Sequence, residues 1–358
     1  MNKKLKRALI NNIVPIAFFL LTLGAVIVAK IPVLFLVSEV VRRLSRNTFL
    51  VLALIIPVVA GLGLNFAIVL GAMAAQASLF FVVDWGINGV PGILLAMVLA
   101  SIISLGLGVI VGRTLNRAKG REMITSMILG FFANGVYQLI FLFFVGSIIP
   151  YKRTEFLLPQ GVGLRNTVDL YGAVAGALNN VLSVNISFVV VYVLPFLIII
   201  GLCLFLTFLL RTKLGQDFKA VGQDMHVAQT AGINVNRTRI IAVVISTVLA
   251  SIGQIIYLQD IGTINTYNSH EQIGLFSIAA LLVGGASTRK ASIWNAIIGV
   301  ILFHTLFIVT PSAGNKLFGQ PQIGEFFREF TAYAVIAFAL AMHGWQSHKT
   351  TGRSKNKL

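Results

Sequence analysis

Apolar residues fill this chain in long runs, and polar positions fall in short interruptions between them. A helix that crosses a bilayer needs about 20 mainly apolar residues. Runs of that kind cover residues 13–29, 48–62, 65–83, 90–112, 123–149, 189–210, 239–258, 272–288, 291–310 and 329–343. The pattern predicts an all-α, polytopic membrane helical bundle of about ten transmembrane helices, forming one domain over residues 1–358. Three joints are tight: Gly61-Leu62-Gly63, Asp84 to Gly89, and Arg289-Lys290. Joints this short set neighbouring spans antiparallel.

One interruption behaves differently. Residues 215–238 are polar yet keep a helical period. Asp217 can cap a helix starting near Phe218. Phe218, Val221, Met225 and Ala228 recur at three or four residues and form an apolar stripe, with Lys219, Gln223, Asp224 and Gln229 facing elsewhere. Gly232 can end this helix in a left-handed conformation. Asn234 or Asn236 can cap the next helix, which enters the membrane. Such an amphipathic hairpin lies on lipid or docks in a partner's groove, and periodicity favours neither.

Composition sharpens the class. The chain is 57% hydrophobic and 11% charged, against about 25% charged in soluble domains. A formal charge of +17 raises the question of nucleic acid, which the distribution excludes. The cations sit between spans: Arg113/Arg117/Lys119/Arg121, Arg211/Lys213/Lys219/Arg237, Arg289/Lys290 and Lys349/Arg353/Lys355/Lys357. That is the positive-inside pattern, with anionic membrane lipid as the partner. It places the basic N-terminus 1–12, the hairpin 211–238 and the basic tail 344–358 on the cytoplasmic side. Residues 150–188 and 311–328 then lie outside. Residues 30–47 disagree, since Lys30, Arg42, Arg43 and Arg46 fall outside in this count. Either the segment lies along the surface as an amphipathic helix or a nearby span is miscounted. The first apolar run reads as a retained helix rather than a cleaved signal. The single cysteine, Cys203, sits in an apolar run and reads as a packing residue.

No G-x-x-x-x-G-K-[ST], H-E-x-x-H or G-x-S-x-G pattern occurs. No catalytic residue, metal site or bound cofactor is therefore expected of this chain. The predicted spans are nearly free of acids, with Glu122, Asp260 and Glu271 at their edges. Proton- or ion-driven carriers need titratable groups at membrane depth, so energy is expected to come from elsewhere. Neutral polar residues do enter the spans: Asn65 and Gln76, then Asn134, Tyr137 and Gln138 on one helical face, then Gln254 and Tyr257. These make interhelical hydrogen bonds or, with Phe131 and Phe132, line a path for a polar uncharged solute. Of His226, His270, His304, His343 and His348, only His304 falls inside a predicted span, where it reads as a packing residue. Glycines within spans, among them Gly71, Gly108 and Gly112, read as sites of close helix approach.

The hairpin has the order G-x-x-x-K-A-V-G-x-D-x-x-x-A-x-x-x-G-I-N-V-x-R from Gly215 to Arg237, followed by Ser246 and a closing Ala250-Ser251-Ile252-Gly253. A second block runs from Ile278 to Gly285, with Gly299 in the next span. These blocks resemble the permease subunits of ATP-binding-cassette importers for ribose, galactose, nucleosides and branched-chain amino acids. The resemblance implies a bacterial inner-membrane, multi-pass subunit with both termini cytoplasmic. It implies an ABC ATPase subunit that uses ATP and Mg, a second permease subunit (identical or a paralogue), and an extracytoplasmic solute-binding protein or lipoprotein. It makes residues 217–230 the coupling helix, with Asp217, Phe218, Lys219, Ala220, Val221, Gly222, Asp224, Ala228, Gly232 and Asn234 in the coupling element. Arg237 and Arg239 would then sit at the membrane boundary. The segment Glu122 to Leu129, and Leu64-Asn65-Phe66 with Gly71-Ala72-Met73 and Gln76, resemble the nucleoside and simple-sugar subgroup. The implied path residues are Asn65, Gln76, Phe132, Asn134, Tyr137, Gln138 and Gln254, and the implied solute is a nucleoside, ribose or another simple sugar. Branched-chain amino acids or a vitamin such as riboflavin are the alternative cargo, and a secondary transporter the alternative class.

Overall fold

The apolar runs fold as helices whose ends alternate between two poles of one bundle. The structure, a computed structural model, describes residues 13–186 and 189–355, so the segment 1–12 lies outside the described residues. The helices are α1 (Ile13–Ala29), α2 (Val33–Ala53), α3 (Ile55–Val59), α4 (Ile68–Asp84), α5 (Gly89–Arg117), α6 (Glu122–Leu139), α7 (Val193–Leu209), α8 (Lys213–Gln223), α9 (Met225–Thr230), α10 (Val235–Ile261), α11 (Ser269–Val283), α12 (Ile293–Phe318) and α13 (Pro321–Lys355). Helix α6 continues as a π-helical turn, Ile140–Phe144. Among the described residues four helices are long and apolar enough to cross a membrane: Gly89–Arg117, Glu122–Phe144, Val235–Ile261 and Ile293–Phe318. Helices α1, α4 and α11 are shorter apolar helices packed among them. The protein is an all-α polytopic membrane bundle. Helix α13 runs to Lys355, so residues 344–355 of the basic segment continue a helix, and 356–358 lie outside the described residues.

One pole gathers Gly61 with Gly222, Gly63 with Met123, and Glu122 with Arg239. The other gathers Asp84, which accepts from the amides of Lys152 and Arg153, and Gln259, whose carbonyl accepts from Gly176. Among the described residues short strands lie only at this second pole: β1 (Thr167–Asp169) pairs antiparallel with β4 (Thr263–Asn265), and β2 (Ser183–Ile186) with β3 (Val189–Tyr192).

Residues 30–47 are neither loop nor surface helix. They form most of α2, whose later half is buried. The three arginines of this segment are absorbed by pairing. Asp260, at the end of α10, accepts from Arg42 at 3.3 Å and Arg46 at 2.9 Å. Arg43 pairs with Glu39 along the helix at 3.8 Å. A charge count along the chain could not see these partners.

The predicted span 48–62 is broken at Leu54, and Pro57 supplies the reason. Proline has no N–H, so the carbonyl four residues back, on Ala53, loses its helical donor. The hydroxyl of Ser246 on α10 replaces it, at 2.8 Å from Ala53 O. Residues 60–67, where the tight joint Gly61-Leu62-Gly63 was expected, form a longer irregular segment that is almost wholly buried. Non-helical backbone at membrane depth persists where protein surrounds it. Helix α10 is central. Gly108 and Gly112 of α5 meet Val244 and Ile240, and Gly71 of α4 meets the backbone of Thr247 and Ser251. A Cβ on Gly108 would stand 2.9 Å from Val244 Cα, so these glycines set the helix spacing.

Candidate functional site

At the first pole the chain turns through 74° from α7 into α8. Gly215 permits the bend, since a side chain there would overlap the backbone of Leu209 and Leu210. Thr212, in extended conformation, caps α8 by accepting from the Gly215 amide. Asp217 therefore lies inside α8 and is not the cap. Asp224 breaks the hairpin into two helices and caps the second, accepting from His226 N at 2.8 Å and Val227 N at 3.1 Å. Those amides hold its carboxyl below the ordinary carboxylate range. Gly232 adopts φ +84° after α9, and Asn234 caps α10 by accepting from Arg237 N at 3.0 Å.

The apolar stripe faces the protein itself. Phe218 is buried in the main core, and Val221, Ala228 and Val235 form a smaller cluster with Met225 beside it. The stripe is thereby used inside the protein, and neither lipid nor a partner's groove receives it. Gly222 is the point of closest approach: a Cβ there would overlap Val59 O and stand 3.1 Å from Gly61 N. In return, a Cβ on Gly61 (φ +76°) would stand 2.8 Å from Gly222 Cα. Asp217, Lys219 and Ala220 are half-buried, and Lys219 Nζ donates to Leu210 O at 2.8 Å. Gln223, Asp224, His226, Val227, Gln229, Gly232 and Asn234 form the exposed outer ridge.

Arg237 is exposed, but Arg239 is not a boundary anchor. It is fully buried, with Nη2 donating to Glu122 at 2.5 Å and Nη1 lying 2.9 Å from Met225 Sδ.

A polar network lies inside the bundle among α4, α6 and α11. Tyr137 donates to Gln76 Oε1 at 2.9 Å, and His270 Nδ1 meets the same oxygen at 2.8 Å. His270 Nε2 meets Asn134 Oδ1 at 2.8 Å, Asn134 donates to Glu271, and Gln138 donates to Asn134 at 3.4 Å. Four of the predicted path residues thus converge. His270 and Glu271 join them because α11 starts at Ser269, before the apolar run begins. Glu271 also lines a cavity of about 410 Å³ between α4, α6, α11 and α13. Phe66, Phe131, Phe276 and Tyr333 supply its aromatic walls, and Glu329 a second carboxylate. This cavity holds two carboxylates, which the neutral polar residues within the spans do not include. The signal was present in sequence, since Glu271 follows His270 one residue before the counted span.

The other predicted path residues lie apart from the network. Asn65 is buried beside the cavity residue Phe66, and its Oδ1 accepts from Ala67 N at 3.1 Å. Phe132 is 69% exposed on the opposite face of α6 from Asn134. Gln254 is buried in α10, and its amide has no partner among the described residues. His304 is buried between the Phe303 and Phe307 rings, in keeping with packing. Among the described residues no group of three or more His, Cys, Asp or Glu is placed to hold a metal.

Curated proteins similar to this chain are permeases. The nucleoside ABC transporter permease protein NupC of Lactococcus lactis subsp. cremoris is 29% identical over 37% of this chain and 40% of the relative. The autoinducer 2 import system permease protein LsrC of Enterobacter sp. is 30% identical over 37% of each. The xylose transport system permease protein XylH of Haemophilus influenzae is 32% identical over 32% of this chain and 30% of the relative. The chain thus spans about two fifths or less of these relatives. No solved structure matches it significantly. The family model described as branched-chain amino acid transport system / permease component matches residues 36–340, and the chain belongs to that permease family.

Proposed function

We propose that this chain is the membrane-spanning permease subunit of an ATP-binding-cassette importer for a nucleoside, ribose or another simple sugar. The observation that carries this reading is the hairpin. It is seated on the bundle through Gly222 and Gly61, is continuous with the central helix α10, and offers a polar ridge to a partner. The partner is an ABC ATPase subunit that uses ATP and Mg. A second permease subunit, identical or paralogous, and an extracytoplasmic solute-binding protein or lipoprotein complete the assembly. The hairpin pole faces the cytoplasm, as do both termini. Its cations, among them Arg113, Arg117, Arg211, Arg289 and Lys290, follow the positive-inside rule and meet anionic lipid. At the opposite pole Arg42 and Arg46 are matched by Asp260.

Cavity chemistry supports the solute class. Carboxylates accept hydrogen bonds from hydroxyl groups, and aromatic walls stack on sugar faces or bases. Among the described residues no lysine or arginine lines the cavity, so a solute carboxylate finds no counter-charge there. An amino acid would match its ammonium to these acids but leave its carboxylate without a partner, whereas a hydroxylated neutral solute brings no charge to match.

Vesicles carrying the complex test both steps. Uptake should require ATP and persist with an ionophore, with pentoses and nucleosides competing and leucine not. Uptake that collapses with the ionophore and ignores ATP depletion identifies a secondary transporter and sinks the reading.

A further inference from the structure

We infer that Arg239 is a positioning residue: with Glu122 it ties the coupling hairpin to α6, the helix that carries the path amides. The inference rests on the reading of the hairpin as the ATPase-coupling element. The guanidinium is rigid and planar, so its two ends move together. One end lies 2.9 Å from Met225 Sδ, the first residue of α9, and the other 2.5 Å from the carboxylate of Glu122, the first residue of α6. Arg239 itself belongs to α10 and is among the largest fully buried side chains. Three elements therefore meet on one side chain.

Burial makes this contact stiff. An exposed pair can exchange its partner for water. A buried pair that separates leaves an uncompensated charge, which is strongly unfavourable. Arg239 lies on the first turns of α10, which follow the hairpin directly, and touches α9 at Met225, so a hairpin displacement that moves the start of α10 carries Glu122 with it. From Glu122, α6 runs twelve residues to Asn134, a span of about 18 Å. Ser126, one turn above Glu122, accepts from Phe66 N at 3.1 Å, and Phe66 lines the cavity. A tilt at the foot of α6 is thus delivered to the Asn134–His270–Glu271 network and to the cavity wall.

The test is a pair of distances in the full transporter complex, measured by spin labels in a Cys203→Ala background. One pair, Lys213→Cys with Trp294→Cys, reports the hairpin against α12. The other, Ile128→Cys with Trp294→Cys, reports α6 against α12. All three positions are exposed, Ile128 at 60% and Trp294 at 72%. In the parent, ATP should shift both distances. In Glu122→Gln and Arg239→Met the hairpin shift should remain and the α6 shift should fall below half, with uptake per ATP down at least tenfold. A merely structural pair lowers thermal stability without splitting the two distances. An α6 shift retained in both variants overturns the inference. A hairpin that ignores ATP in the parent overturns the coupling reading, and this inference with it. If the single variants do not fold, Glu122→Leu/Arg239→Met removes both buried charges at once, and the same two distances decide.

Discussion

Gly222→Ala adds one methyl group at the seam between hairpin and bundle. On helix propensity alone alanine is better there by about 1 kcal/mol. The methyl would overlap Val59 O and stand 3.1 Å from Gly61 N. Both atoms are backbone, so no rotamer change relieves the contact. To reach ordinary separations of about 3.5 Å, α8 must withdraw by about 1.4 Å. Overpacking of this kind costs about 1–3 kcal/mol. The propensity gain offsets part of it and leaves a net loss of about 0–2 kcal/mol. The fold survives, with a melting shift of a few degrees at most. The seam does not. Uptake and ATP hydrolysis measured in the same vesicles should show hydrolysis retained and transport per ATP reduced at least tenfold, with the ATPase still co-eluting. A transport-to-hydrolysis ratio equal to the parent's, at a lowered melting temperature, would refute the reasoning. The seam would then hold the hairpin in place without transmitting anything.

Three further outcomes are expected. Ser246→Ala strands the Ala53 carbonyl that Pro57 leaves without a donor and should cost about 1–3 kcal/mol. Adding Pro57→Ala should recover most of that loss, and a double variant as unstable as the single would show that the hydroxyl acts otherwise. Asp260→Asn should destabilise by about 3–5 kcal/mol, mainly through Arg46, because Arg42 is 41% exposed and keeps its solvent. A melting shift below one degree in detergent would show the pair to be solvated. Asn134→Leu removes the partner of His270 Nε2 and a donor to Glu271, so it should reorder the competition between pentoses and nucleosides. Equal loss for every solute, with reduced stability, would assign Asn134 to packing.

The helices were legible because a span declares itself by length and apolarity, and most bounds fall within a few residues of the counted runs. The misreadings share one cause. The break at Leu54 needs Pro57 and a hydroxyl from α10, which lies 193 residues away from Ala53. The cap moved from Asp217 to Thr212 and Asp224 because both residues hold extended backbone, and several polar residues in the segment were chemically able to cap. Gln76, Asn134, Tyr137 and Gln138 were legible as a set, since spacing put three on one face and a buried amide must find a partner. Phe132 was not separable from them by residue type. Its place on the opposite face of α6 was already in the spacing, since Phe132 and Asn134 are two residues apart and do not share a helical face.

Charge was the least legible feature, because its meaning here depends on partners remote in sequence. Glu122, Asp260 and Glu271 all looked like edge residues, and each is committed to a different task. Asp260 gathers two arginines at the second pole. Glu122 holds a buried arginine beside the hairpin. Glu271 joins the amide network and faces the cavity. An acid with a fixed cationic partner is not free to exchange a proton or ion on each transport cycle, since its charge is already matched. That leaves Glu271 and Glu329 as the acids facing the cavity. The expectation that the energy enters from outside the membrane therefore turns on what these two carboxylates do. A carboxylate that accepts hydroxyl hydrogen bonds from a sugar needs no proton movement, whereas a coupling carboxylate must change its charge state. Glu271→Gln distinguishes the two: it keeps the shape and one acceptor, so ATP-driven uptake should survive with altered solute preference, while a proton-coupled carrier should lose accumulation altogether.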